Sequence, residues 1–71
     1  SKMEKKSFED LINELSKIVN DLESGQLTLE ESVEKYKKGM ELSLECKKRL
    51  EEAKQVIVTK MNEGEEVPFK N

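Results

Sequence analysis

A chain of 71 residues, of which 41% are charged and 34% hydrophobic, allows one small domain with a thin core. The net charge of −3 excludes a strongly basic nucleic-acid-binding protein, because phosphate contacts need an excess of lysine and arginine. The single cysteine excludes an internal disulfide, and no apolar run approaches the roughly 18 residues of a membrane span. We therefore expect a cytoplasmic protein without membrane association.

The first predicted helix runs from about Phe8 to Glu23, after a polar segment, residues 1–6, that we expect to be disordered. Ser7 stands three residues before Asp10, which is close to the capping box that begins many helices. Apolar residues then recur at steps of three and four, so one broad stripe should face a core. The members of this stripe are Phe8, Leu11, Ile12, Leu15, Ile18, Val19 and Leu22.

A short loop around Gly25 predicts a second helix that runs antiparallel to the first. A glycine just after a helix can adopt the left-handed conformation that closes the last turn. Thr28 and Glu31 form a full capping box, and the helical pattern then continues to about Met61. At 1.5 Å per residue the two helices would span about 24 Å and about 50 Å. About half of the second helix should therefore lie beyond the reach of the first.

The second helix carries two apolar stripes, about 120° apart around its axis. The first stripe consists of Leu29, Val33, Tyr36, Met40 and Leu44. We expect it to meet the first helix, so that the predicted hairpin core is Phe8, Leu11, Leu15, Ile18, Leu22, Leu29, Val33, Tyr36 and Met40. The second stripe consists of Leu42, Cys46, Leu50, Ala53 and Ile57. We expect it to bind a partner helix, the alternative being a solvated surface that frays.

Gly39 lies in the middle of the second helix, where a glycine costs about 0.5–1 kcal/mol relative to alanine. Close approach by another helix would explain it, and tolerated drift is the alternative. Basic residues outnumber acidic ones between Lys35 and Lys54. We interpret this excess as a solvated face, with weak phosphate contact as the alternative.

The sequence lacks the residue patterns of a catalytic or metal site. There is no histidine, which largely excludes Ser/His and Cys/His dyads and most metal clusters. Cys46 lies among apolar positions of a helix and is most simply a small buried hydrophobic residue. Adjacent acidic pairs such as Glu51 and Glu52 diverge on a helix surface instead of converging on a metal ion. We therefore expect no catalytic residue, no cofactor and no metal.

The segment LESGQLTLEESVEKYKKGMEL, from Leu22 to Leu42, resembles the small subunit of exodeoxyribonuclease VII. The hallmark of that family is an LE-x-G-x-L-x-L-E-x-[SA] turn followed by a Gly-Met or Gly-Ile pair in the second helix. The residues before the turn, beginning at Phe8, are similar to the family pattern F-E-x-x-x-x-x-L-x-x-I-V-x-x-L-E. Those after it fit a C-x-x-x-L-x-x-A frame at Cys46. The resemblance covers about Phe8 to Val58.

The resemblance implies a small accessory subunit that assembles with a large catalytic subunit, which carries the nuclease site and an OB-type DNA-binding domain. Such a complex degrades single-stranded DNA from either end without needing an added metal in the best-known members, and several small subunits bind along a long helical region of each large one. No catalytic residue is implied for the small subunit, which would meet single-stranded DNA only through the complex.

We therefore predict an all-α protein: an antiparallel two-helix hairpin with a longer second helix, completed by oligomerisation or by partner helices. The hairpin domain should comprise residues 7–61, followed by a flexible tail at 62–71. Its predicted function is that of a non-catalytic accessory subunit of a single-stranded-DNA exonuclease. The main alternative is a self-assembling helical structural protein, which would form a stable homo-oligomer alone; a second alternative is an independent single-strand DNA binder.

Overall fold

The computed structural model describes residues 3–63, which form a helical hairpin. A short 3-10 turn at Met3–Lys5, here called the N-terminal turn, precedes helix α1 (Phe8–Glu23) and helix α2 (Leu29–Asn62). The two helices pack against each other, and no strand occurs within the described residues. The predicted all-α hairpin with a longer second helix is therefore confirmed. Most of the predicted tail, residues 64–71, lies outside the described part of the chain.

Local side-chain chemistry sets where the helices begin and end. The Ser7 hydroxyl accepts a hydrogen bond from the Asp10 backbone N–H at 3.0 Å. At the start of α2 the capping box is complete. The Thr28 hydroxyl accepts from the Glu31 N–H at 3.1 Å, and the Glu31 carboxylate accepts from the Thr28 N–H at 2.9 Å. Gly25, with φ of 71°, supplies the left-handed residue that reverses the chain.

The core is a narrow seam between the two helices. Its buried hydrophobic residues are Leu11 and Ile18 of α1 and Leu42 and Cys46 of α2, and Gly39 of α2 is buried as well. Met3, Leu15 and Leu22 pack against this seam and are half-buried. Cys46 is thus a small buried hydrophobic residue with a free thiol, as predicted.

The prediction that the first stripe forms the hairpin core is wrong. Leu29, Tyr36 and Leu44 are 81%, 63% and 62% exposed, and Val33 and Met40 are also exposed. Phe8, which was placed in the same core, is exposed as well. Of the second stripe, which we expected to bind a partner helix, Leu42 and Cys46 are already buried in the seam.

Gly39 explains why this face of α2 meets α1. A Cβ atom at Gly39 would lie 3.5 Å from Ile18 Cγ2 and 3.7 Å from Leu15 Cδ1, so the side chains of α1 rest directly on the α2 backbone there. Leu42 and Cys46 follow three and seven residues later, on the same face of the helix. The helices are therefore closest on the face of α2 that contains Gly39, and this face is the one that packs against α1. Of the two interpretations of this glycine, close approach is the one that the structure supports.

Charged side chains form contacts at both ends of the seam. Near the loop, Lys35 Nζ lies 3.1 Å from the carboxylate of Asp21. At the other end Arg49 donates to the backbone carbonyls of Met3, at 2.9 Å, and Lys6. Its Nε also pairs with Glu45 at 3.0 Å. We expected residues 1–6 to be disordered, but residues 3–6 fold back on α2, because an arginine there satisfies their carbonyl groups.

Candidate partner-binding surface

The apolar line that forms the seam continues along α2 after α1 has ended. From Cys46 the steps are four, three and four residues, to Leu50, Ala53 and Ile57, which keeps one face of the helix apolar. We call these last three residues the distal stripe. Leu50 and Ile57 are 58% and 54% exposed, and Ala53 is exposed as well. The second stripe is thus a single line, which α1 covers at Leu42 and Cys46 and leaves open beyond them.

The difference in helix length creates this open half. Helix α1 has 16 residues and α2 has 34, so their lengths are about 24 Å and about 51 Å. Arg49 and the N-terminal turn mark the point where the described chain stops covering α2. Every residue from 50 to 60 is exposed. The expected mismatch between the helices is therefore present in the structure.

A second apolar surface lies on one side of the hairpin, where a groove of about 170 Å³ runs between the helices. We call it the hairpin groove. Its lining is Leu15, Ile18, Val19, Leu22, Tyr36, Gly39, Met40 and Ser43. Two members of the first stripe, Tyr36 and Met40, thus line an open groove instead of a closed core. This groove was not predicted from the sequence, although the broad apolar stripe of α1, with Val19 beside Ile18, was a signal for it.

The opposite side of the hairpin is charged. A shallow depression there is lined by Glu14, Lys17, Asp21, Lys35 and Lys38, together with an edge of the seam. Lys35 and Asp21 pair across it at 3.1 Å with both side chains over a third exposed, so their contribution to stability is small. The hairpin thus has one apolar and one charged side.

Among the described residues, the Glu31 carboxyl has a shifted pKa, and this group belongs to the N-terminal cap of α2. Hydrogen bonds from the Thr28 backbone N–H and then from its hydroxyl lower the pKa of the Glu31 carboxyl, and the nearby charge of Lys35 adds to this effect. Glu31 therefore serves the capping box. Within residues 3–63 no cluster of three or more metal-binding side chains occurs. In the same range neither helix is long and apolar enough to cross a bilayer.

The described residues define a class of small all-α proteins: a two-helix hairpin whose longer helix leaves an apolar line uncovered. The chain belongs to the exonuclease VII small subunit family, whose model matches residues 8–59. It is similar to proteins named exodeoxyribonuclease 7 small subunit from several bacteria, and the resemblance noted in the sequence is thereby confirmed.

The relative from Listeria innocua is 46% identical over 66 residues, which are 92% of this chain and 88% of that protein. The relative from Thermoanaerobacter sp. is 45% identical over 67 residues, covering 94% and 89% of the two chains. That from Streptococcus mutans is 44% identical over 57 residues, covering 80% and 78%. No solved structure matches this chain significantly.

Proposed function

We propose that this chain is the non-catalytic accessory subunit of a single-stranded-DNA exonuclease of the exodeoxyribonuclease VII type, and that it binds helical segments of the large catalytic subunit. Membership of the family supports the identity of the complex. The observation that carries the proposed mode of binding is the distal stripe, which prolongs the packed seam into an exposed apolar line. Since the complex acts on DNA, we also expect a cytoplasmic location.

In this proposal the partner helix covers Leu50, Ala53 and Ile57. Full burial of a leucine or isoleucine side chain is worth about 1.5–3 kcal/mol, and both large residues of the stripe are more than half exposed in the free chain. Leu42 and Cys46 belong to the same line but are already covered by α1, so their part is to hold the hairpin together. Single-stranded DNA would be handled by the large subunit, in keeping with the net charge of −3 of this chain.

Substitution of Leu50 by aspartate tests the proposed docking site. Leu50→Asp should abolish co-purification with a co-expressed large subunit while leaving far-UV helicity largely intact, because a charge on the distal stripe would be desolvated on binding but not on folding. Leu44→Asp is the matched control, since Leu44 has a similar exposure of 62% on another face of the same helix. Undiminished co-purification of Leu50→Asp would contradict the proposed site. Exonuclease activity of each complex on single-stranded DNA provides the functional measurement.

A second candidate function, self-assembly without a nuclease partner, is favoured by one observation. The hairpin groove and the first stripe leave several large apolar side chains exposed on the isolated chain. In this case the pure protein would form a defined homo-oligomer, and the large subunit would not dissociate it. Analytical ultracentrifugation of the chain with and without the large subunit distinguishes the two functions.

A further inference from the structure

The charges around the distal stripe are sorted by sign. At 100° per residue, Lys47 and Lys54 lie about 90° and about 70° from the centre of the stripe, both on the same edge. The two acidic residues of this part of the helix both lie about 130° from the centre of the stripe, Glu51 beyond the two lysines and Glu52 in the other direction. All four side chains are exposed. The distal stripe therefore has a cationic edge, formed by Lys47 and Lys54, and no acidic edge.

The other edge of the stripe carries different groups. Arg49 lies there, but its guanidinium group is occupied by the N-terminal turn and by Glu45. Val56 lies further out on the same edge and is 61% exposed. Lys60, also on this side, is 4.0 Å from Glu63. Lys47 and Lys54 have no ion pair with another described residue, and they are seven residues apart, so they stand in line two turns from each other.

We propose that the occupant of the distal stripe is a helix of the large subunit whose own apolar stripe is bordered by acidic residues. This inference rests on the proposed function and adds the chemistry of the partner. The helix would lie end to end with α1 and continue the same seam, with its acidic border against Lys47 and Lys54. Charges at the edges of a helix–helix seam set the choice and direction of the partner more than they set raw affinity.

The same charges disfavour a second copy of this chain on the distal stripe. An antiparallel pair centred on Ala53 places Lys54 beside its own counterpart. A parallel pair brings Lys54 towards Arg49 of the other copy, because residues at these heptad positions face each other across the seam. Like charges in contact across a seam are destabilising. An acidic partner removes this repulsion, and a second copy cannot.

Charge reversal at the cationic edge tests the inference. Lys47→Glu should weaken binding to the purified large subunit about threefold and Lys47→Glu/Lys54→Glu about tenfold, because each change turns an attractive pair into a repulsive one. Raising the salt concentration should weaken binding of the wild type more than that of the double variant. Glutamate and lysine have similar helix propensities, so circular dichroism of the variants should remain unchanged.

Lys48→Glu is the matched control for Lys47→Glu. Lys48 points away from the stripe by about 170°. It stands four residues before Glu52 as Lys47 stands four before Glu51, so each variant places two glutamates at that spacing and changes the net charge equally. Equal affinities of Lys47→Glu and Lys48→Glu for the large subunit would overturn the inference while leaving the proposed function intact.

Two further results would overturn the inference. In the first, the double variant assembles normally but the complex binds single-stranded DNA less tightly, so that the cationic edge faces DNA. In the second, the wild-type chain does not bind the large subunit at all, in which case the proposed function fails together with the inference. Fluorescence anisotropy with labelled chain and, separately, with labelled oligonucleotide measures both.

Discussion

Truncation of Leu42 to alanine tests which face of α2 packs against α1. Leu42 is 1% exposed, at the centre of the seam. Loss of three carbon atoms from full burial costs about 2.4 kcal/mol in transfer free energy, at about 0.8 kcal/mol for each carbon. A residual cavity would add to this, and measured Leu→Ala changes in cores fall at about 2–5 kcal/mol. For a domain of this size, even the lower value of about 2 kcal/mol would lower the melting temperature by roughly 8–16 °C.

Leu44→Ala is the matched comparison, since it makes the same chemical change two residues away on the same helix. Leu44 is 62% exposed, so the same reasoning gives at most about 0.9 kcal/mol, part of which the higher helix propensity of alanine offsets. Urea denaturation followed by circular dichroism measures both free energies of unfolding. A larger loss for Leu44→Ala than for Leu42→Ala would refute the seam described here and restore the first stripe as the core.

The other predictions concern single contacts of the hairpin. Gly39→Ala should raise the free energy of unfolding by about 0.5–1 kcal/mol, because a Cβ atom there would make ordinary contacts at 3.5 and 3.7 Å and alanine is the better helix former; thermal melts check this. Arg49→Ala should release the N-terminal turn, seen as faster amide exchange at the start of the chain and a loss of about 1–3 kcal/mol, because carbonyl groups lose a charged donor. The pKa of the Glu31 carboxyl is lower in the folded than in the unfolded chain, so its contribution is complete above the ordinary glutamate pKa of about 4.3 and is lost as the pH falls through the folded value. Denaturation of wild type and Glu31→Gln at pH 7 and pH 3 should therefore show a difference at pH 7 that shrinks at pH 3.

The helix boundaries were predictable because the residues that set them act locally. Ser7 and Thr28 cap the helices whose N-termini they precede, and Gly25 reverses the chain, each through contacts within three or four residues. Such contacts do not depend on how the helices later pack. Periodicity also gave the correct core face of α1, where Leu11 and Ile18 are buried.

The packed face of α2 was not predictable from the size of its apolar residues. The first stripe contains the large residues Tyr36 and Met40 and looks the more hydrophobic. The face that carries the second stripe also contains Gly39 and the small Cys46, which allow the helices to approach more closely. Periodicity depends only on where the apolar side chains lie, so it does not reveal that a glycine allows another helix to pack against the backbone. The contact of Arg49 with the N-terminal turn spans more than 40 residues of sequence and has no local signal either.

In the proposed complex, folding and assembly would be coupled, because one apolar line would serve both. Its first half, at Leu42 and Cys46, is buried against α1, and its second half, at Leu50 and Ile57, has no cover from the described chain. With four buried hydrophobic residues in its described core, of which Leu11 and Leu42 are fully buried, the free hairpin has little stability in reserve. A partner helix on the distal stripe would add about 2.7 kcal/mol at a concentration one hundred times its Kd, without any new contact within α1. Damage to the seam should therefore be tolerated better in the complex than in the free chain, whereas damage to the distal stripe should be visible only in the complex.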